Sequence, residues 1–295
     1  MKQYICFDVG GTGIKYGIIE ENGNILEKGS MDSEARTSGG PGIVNKMIKK
    51  TKDYSSRYEL SGLAISSHGM IDSKNGIVMH ADDHLIPGYS GMKVKEIIER
   101  ETGLTCEIEN DVNAAGLGEL WLGDDTDSRL VSMITVGTGI GACLIQDGHL
   151  INGECMCAGE IGKIVIPGGR FEDLASAYAM TSGLEKKLGL EPDSLDGKMV
   201  FEKIQAGDQV YIDAVDVMID KLAIGLSTLA YIYNPGIIIL GGGIMARDDY
   251  FRPRLETAMA KYLTPLILDH TEIRFAKLKN DAGMIGALRN FLNKN

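Results

Sequence analysis

No apolar run in this chain approaches the roughly 20 residues that a membrane-crossing helix needs. The apolar start, Tyr4 to Phe7, is short and runs into Asp8 instead of a cleavage signal, so no secretory leader is expected. A basic excess is also lacking. The formal net charge is −11, with acidic residues spread along the chain, which argues against the basic stripe that nucleic-acid binding requires. Biased low-complexity tracts are missing, and the hydrophobic share of 44% and charged share of 24% exclude disordered and fibrous classes. Cysteine is scarce and odd in number, five in all, which fits reduced thiols in a cytoplasmic protein. The expected setting is the cytoplasm, with no membrane and no nucleic acid as partner.

Glycine is what the chain has in plenty: 38 of 295 residues, about 13% against a usual share of roughly 7%. These glycines cluster in short turns after apolar runs, where a ligand can approach the backbone closely. A site built from backbone N–H groups needs no net positive charge, so an anionic nucleotide stays compatible with the acidic balance. The length allows two packed domains.

Tyr4 to Phe7 reads as a strand, followed by Asp8-Val9-Gly10-Gly11-Thr12-Gly13 and a second strand, Ile14 to Ile19. A third strand starts at Ile25 after the turn Glu21-Asn22-Gly23-Asn24. The spacing predicts a helix over Gly42 to Thr51, a buried strand over Gly62 to Ser66, and a helix over Val94 to Thr102 stopped by Gly103. Then the opening pattern returns: Val136-Gly137-Thr138-Gly139-Ile140 repeats Val9 to Ile14 with one glycine fewer. The repeat predicts two similar α/β halves, each opening on a glycine-turned hairpin, with a nucleotide in the cleft. Downstream, Ala214 to Tyr233 reads as a long helix leading into the strand Ile237 to Leu240.

Each chemical motif carries a plain reading beside a sharper one. Gly10, Gly11 and Thr12, like Gly137, Thr138 and Gly139, form either simple hairpin turns or phosphate cradles. Asp8 at the strand end is a solvated acid or a Mg²⁺ ligand acting through water. Gly241, Gly242 and Gly243 follow an apolar strand, where α/β sheets bind ligands beyond their carboxyl ends; the alternative is an ordinary β-to-α turn. Asn110 and Asp111 precede an Ala-rich stretch, which makes them N-cap residues. Sharper, Asp111 is the general base for an acceptor hydroxyl and Asn110 a sugar ligand. Glu160 and Glu172 are sugar ligands, or a loop acid and a first-turn acid favoured by the helix dipole.

In this order, and over nearly the whole chain, these strings resemble the ROK family of repressors, open reading frames and sugar kinases. The resemblance implies an α/β, actin-like fold of duplicated ribonuclease-H-like domains around a nucleotide and sugar cleft. It implies a smaller domain of 1–112 completed by the returning helix 280–295, and a larger one of 113–279. The cofactors it implies are ATP and Mg²⁺. Asp8, Gly10, Gly11, Thr12, Gly137, Thr138 and Gly139 then bind phosphates, and Gly241, Gly242 and Gly243 line the nucleotide site. Asn110, Glu160 and Glu172 hold the sugar, and Asp111 is the catalytic base.

The chain departs from the family's zinc-containing members. Lys163 stands where they carry a histidine, three residues after the glutamate of Ala158-Gly159-Glu160. Their cysteine-rich run is replaced by Val165-Ile166-Pro167-Gly168-Gly169-Arg170-Phe171-Glu172. Cys155-Met156-Cys157 lies before Glu160, so we expect no structural zinc. Lys163 is expected either to pair with Glu160 or to point to solvent. The zinc-less branch includes N-acetylmannosamine kinases and β-glucoside kinases. Ile86-Pro87-Gly88-Tyr89-Ser90-Gly91 and Phe171-Glu172-Asp173-Leu174-Ala175-Ser176 resemble the former more, which implies an N-acetylmannosamine 6-kinase; a glucokinase or β-glucoside kinase is the alternative. A ROK-type regulator is disfavoured, since Asp8 lies too near the start for a preceding helix-turn-helix. The resemblance is compatible with a homodimer.

Overall fold

The computed structural model describes residues 1–123 and 127–295. The chain opens with β1 (Gln3–Val9), β2 (Gly13–Glu20), β3 (Ile25–Asp32), α1 (Ala35–Ser55), β4 (Leu60–Ser67), β5 (Met70–Asp72), β6 (Ile77–His80) and α2 (Val94–Thr102). Next come β7 (Cys106–Asn110), α3 (Asp111–Gly118), β8 (Leu130–Val136), β9 (Ile140–Gln146) and β10 (His149–Leu150). After these lie β11 (Val165–Ile166), β12 (Gly169–Arg170), α4 (Phe171–Ala175), α5 (Ala177–Leu188), α6 (Gly197–Gln205) and α7 (Gln209–Ile232). The chain ends with β13 (Ile237–Gly241), α8 (Asp248–Met259), α9 (Pro265–Leu268), β14 (Glu272–Phe275) and α10 (Ala282–Lys294). It folds as two compact units. One is Met1–Thr126 with Asn152–Ala158 and Asn280–Asn295; the other is Asp127–Ile151 with Gly159–Lys279.

The first unit is a five-stranded sheet of order β3-β2-β1-β4-β7. β1 pairs antiparallel with β2 and parallel with β4, and β4 runs parallel to β7. Alternation along β1 sends Ile5, Phe7 and Val9 into a core with Ile43 and Met47 of α1 and Ile98 of α2. The other face takes α10, which packs on α3, β1 and β4. Small residues allow that approach, because a methyl on Gly118 would lie 2.7 Å from the Ala282 carbonyl oxygen. The expected domain end at 112 falls inside α3, and this unit continues to Thr126 because α3 packs on α10.

The second unit repeats the arrangement in a sheet of order β10-β9-β8-β13-β14. β8 pairs antiparallel with β9 and parallel with β13, which runs parallel to β14. Its core gathers Phe171, Leu222, Leu226 and Phe251, all fully buried. Burying such a side chain stabilises the fold by about 1.5–3 kcal/mol each. The repeated glycine string is therefore the same hairpin at the same place in two sheets of one topology.

Boundaries shift where capping decides them. α7 begins at Gln209, before the expected Ala214, because the Asp208 carboxylate accepts from the Val210 N–H. α1 starts before the expected Gly42 but breaks at Gly39, whose φ is 61°. Gly103 caps α2 with φ 73°, a left-handed stop of the kind glycine favours.

Candidate active site

In the first unit the site grows from one cross-strand row. Lys15 lies opposite Asp8, Asp8 beside Ser66, and Ser66 beside Glu109. Lys15 Nζ lies 3.1 Å from Asp8 Oδ2, and Ser66 Oγ donates to Asp8 Oδ1 at 2.8 Å. α10 closes over the carboxylate at Gly283, where a methyl would come within 2.6 Å of Asp8 Cγ. Beyond Asp8 the chain turns tightly, the Gly10 N–H donating to the Gly13 carbonyl at 2.9 Å. Ser33 fixes the turn from below, its Oγ donating to the Gly11 carbonyl at 2.8 Å. The N–H groups of Gly11 and Thr12 meet no acceptor among the described residues. Such adjacent free N–H groups form an anion nest.

One strand over, β7 ends at Asn110 and α3 begins. Asn110 Oδ1 accepts from the N–H groups of Val112 and Asn113, at 2.9 and 3.1 Å. Its Nδ2 donates to the Gly69 carbonyl at 2.9 Å and to Asp111 Oδ1 at 3.0 Å. The amide thus spends its full hydrogen-bonding capacity, its oxygen on the helix cap and its nitrogen on Gly69 and Asp111. Holding a sugar hydroxyl would require Asn110 to release one of these partners. Asp111 Oδ1 also accepts from the Val112 N–H at 2.9 Å, while Oδ2 has no partner among the described residues. Desolvation pushes the Asp111 carboxyl up to about 6; nearby His68 opposes the rise and the Asp8 charge adds to it.

In the second unit the matching turn closes with the Gly137 N–H donating to the Gly139 carbonyl at 3.0 Å. The N–H groups of Thr138 and Gly139 have no acceptor among the described residues. Glu172, in the first turn of α4, points its carboxylate at this turn: a methyl on Gly139 would lie 2.9 Å from Glu172 Oε2. Lys163 Nζ donates to Glu172 Oε1 at 2.6 Å. Lys163 therefore grips Glu172, neither pairing with Glu160 nor pointing free into solvent, because the short β11–β12 hairpin returns the chain to it. The Glu160 carboxylate has no hydrogen-bond or ionic partner among the described residues. Gly242 is fixed by its φ of 103° and by the Val136 carbonyl that a methyl would overlap, while a methyl on Gly241 would press on the movable tip of Met133. At Gly137 and Gly243 a methyl would meet nothing within 4 Å, so the fold itself does not demand glycine at either position.

Other sequence signals take structural places. Tyr89 and Ile86 are fully buried, and the Tyr89 hydroxyl hydrogen-bonds Ser67 Oγ at 2.9 Å, so packing explains much of the Ile86–Gly91 string. Cys157 Sγ lies 3.4 Å from Met70 Sδ and donates to the Cys155 carbonyl at 3.0 Å. Among the described residues no group of three or more His, Cys, Asp or Glu is placed to hold a metal ion. No helix among them is long and apolar enough to cross a membrane. Sequence reading passed over Lys15 and Ser66. Lys15 had a usable signal: alternation on either side of the hairpin turn puts positions 8 and 15 on one face.

The sequence matches the ROK family profile over residues 4–294. It is 30% identical to a β-glucoside kinase of Klebsiella pneumoniae, covering 97% of this chain and 95% of that one. A Listeria monocytogenes protein described as a candidate N-acetylmannosamine kinase superposes with a TM-score of 0.86 at 28% identity, over 99% of both chains. A ROK family glucokinase of Streptomyces griseus, solved with glucose and AMPPNP, superposes with a TM-score of 0.81 at 26% identity, over 97% and 98% of the two chains. The shared sheet order, the paired glycine turns and the family match agree: this chain belongs to the ROK family, among its sugar kinases.

Proposed function

We propose that the protein transfers the γ-phosphoryl group of ATP to the 6-hydroxyl of N-acetylmannosamine. The observation that carries the transfer chemistry is Asp111. One oxygen is held by the start of α3 and the other is free, and desolvation sets its pKa at about 6. At pH 7 such a carboxyl is about nine-tenths ionised yet basic enough to accept a proton, as a general base needs. In this reading Asp111 Oδ2 takes the acceptor hydroxyl's proton as the bond to phosphorus forms, contributing on the order of 10²–10⁴-fold. The remaining acceleration comes from alignment and from charge stabilisation by the free N–H groups of the Gly10–Gly13 turn. Glu160, unpaired, accepts sugar hydroxyls, and Glu172 does so from its grip by Lys163. Gly243 leaves open backbone for the nucleoside.

The donor set fits Mg²⁺, a hard ion that takes one or two carboxylates and fills its shell with water and phosphate oxygens. Asp8 supplies the carboxylate, with Asp111 close enough for their charges to interact. Bound there, the ion neutralises phosphate charge.

The choice of sugar rests on likeness to the Listeria protein and on the Phe171–Ser176 string. A glucokinase or β-glucoside kinase is the second reading, supported by the relatives of those names. A coupled ADP-release assay over N-acetylmannosamine, N-acetylglucosamine, glucose, mannose, fructose and cellobiose tests both. N-acetylmannosamine should give the highest kcat/KM; a strong preference for glucose over every N-acyl sugar would remove that assignment and leave the kinase intact.

A further inference from the structure

The cysteines of this chain divide into two kinds. Cys6, Cys106 and Cys143 are fully buried. Burial pushes the thiols of Cys6 and Cys106 up, away from the thiolate form that binds metal. Cys155 is exposed and Cys157 half-buried. A cysteine that serves only to pack belongs inside, as the first three do, so packing gives no reason for this pair.

The loop that carries the pair is closed at its base, where the Ala158 N–H donates to the Asn152 carbonyl at 3.1 Å. Between the two cysteines Met156 is left-handed, with φ 59°. A residue with a side chain adopts that conformation at a cost, so the loop imposes a particular shape there. Cys157 Sγ folds back to within 3.0 Å of the Cys155 carbonyl oxygen and lies 3.4 Å from Met70 Sδ, at the start of β5. All of these residues belong to the first unit. The Cys155 thiol has no hydrogen-bond partner among the described residues, so no bond holds it away from the other two sulfurs.

We propose that Cys155, Cys157 and Met70 form a binding site for a soft, thiophilic cation, Cu(I). Thiolate and thioether donors select such an ion, whereas carboxylates, carbonyls and water suit Mg²⁺. Structural zinc takes four donors, typically thiolate or imidazole, and the described residues bring no three of His, Cys, Asp and Glu together for a metal. The thioether completes the set, and it is the donor that favours copper. As the ion binds, each thiol gives its proton to water. Copper stays in its +1 state, so no oxidant or reductant is consumed. The site uses none of the residues of the kinase reading and does not depend on it.

Competition for Cu(I) tests this. The full chain, reduced and kept anaerobic, is titrated with Cu(I) in the presence of the chromophoric chelator bicinchoninate. Wild type, Cys155→Ser, Cys157→Ser and Met70→Leu are compared. The wild type should withdraw about one Cu(I) per chain and gain a sulfur-to-copper absorption band in the ultraviolet, and an equal amount of Zn²⁺ should displace none of it. Each serine variant should bind at least roughly a hundredfold more weakly, and Met70→Leu roughly tenfold. Melting temperatures should hold, since Cys155 is exposed and leucine keeps nearly the volume of methionine. The proposal is overturned if the wild type leaves all copper with the chelator, or if either serine variant competes as the wild type does. Binding by Met70→Leu within about twofold of the wild type would remove the thioether, and with it the three-sulfur site.

Discussion

Adding one methyl group at Gly137 separates a turn shaped by the fold from a turn shaped by a ligand. The new Cβ would find no heavy atom within 4 Å, and the residue's φ is not positive, so neither packing nor backbone geometry resists alanine. A glycine-to-alanine change at such a position leaves stability unchanged or raises it by up to about 1 kcal/mol, because the unfolded chain loses freedom. In a chain of this length that corresponds to roughly 2–4 °C at most. If the open space is where a phosphate approaches, the methyl displaces it and breaks at least one charge-assisted hydrogen bond. Nucleotide affinity should then drop about tenfold to a hundredfold. Gly242→Ala is the contrasting variant: its φ is 103° and its methyl would overlap the Val136 carbonyl. That strain should destabilise by about 1–3 kcal/mol or more. Thermal melts and calorimetric ADP titrations of both variants give the comparison. Wild-type ADP affinity in a well-folded Gly137→Ala would refute the argument, since the missing side chain would then have no ligand reason.

Asp111→Asn should keep the fold and nucleotide binding while kcat drops at least about 10²-fold; retention of kcat within threefold would reduce Asp111 to a cap. Because desolvation holds the Asp111 carboxyl at about 6 and a base works ionised, kcat should fall on the acid side, about tenfold per unit below that value. A kcat profile flat down to about pH 5 would contradict it. Lys163→Met should raise KM for the sugar with little change in melting temperature, since the lysine is 53% exposed and its partner Glu172 only 15%; an unchanged KM would show that the grip on Glu172 is incidental. Metal analysis of protein purified without chelator should show well under one zinc per chain, because four-ligand tetrahedral sites need thiolates or imidazoles and residues 160–172 hold neither. One tightly held zinc per chain would overturn that expectation.

Local chemistry made part of this legible in the sequence. The hairpin around Gly10–Gly13, the cap at Asn110 and the stop at Gly103 each rest on a few neighbouring residues, and each has its place in the structure. The repeat at 136–140 carried the duplicated topology because the glycine turn sits at the same point in both sheets. What stayed hidden depends on register or packing between distant segments. Ser66 meets Asp8 across 58 positions through parallel pairing. Tyr89 carried only a family resemblance in the sequence, because nothing local reveals that its ring fills the core beside Gly40. The Lys163–Glu172 pair, which neither sequence alternative for Lys163 included, stays hidden because the two-residue strands that bring Glu172 back are too short to leave a period.

Glu172 has little slack. One oxygen is held by Lys163, and the other lies where a methyl on Gly139 or Gly162 would come within 2.9 or 3.1 Å. Three positions, two of them far from the third in sequence, therefore share one volume. Gly162 is closed to a side chain by the Ile140 carbonyl as well, whereas at Gly139 a methyl would press only on the glutamate's carboxylate. Alanine at position 139 asks the Glu172 carboxylate to shift, and that shift acts on its contact with Lys163. A change of side chain at Glu172 is thus also a change in the room left for the turn at 137–139.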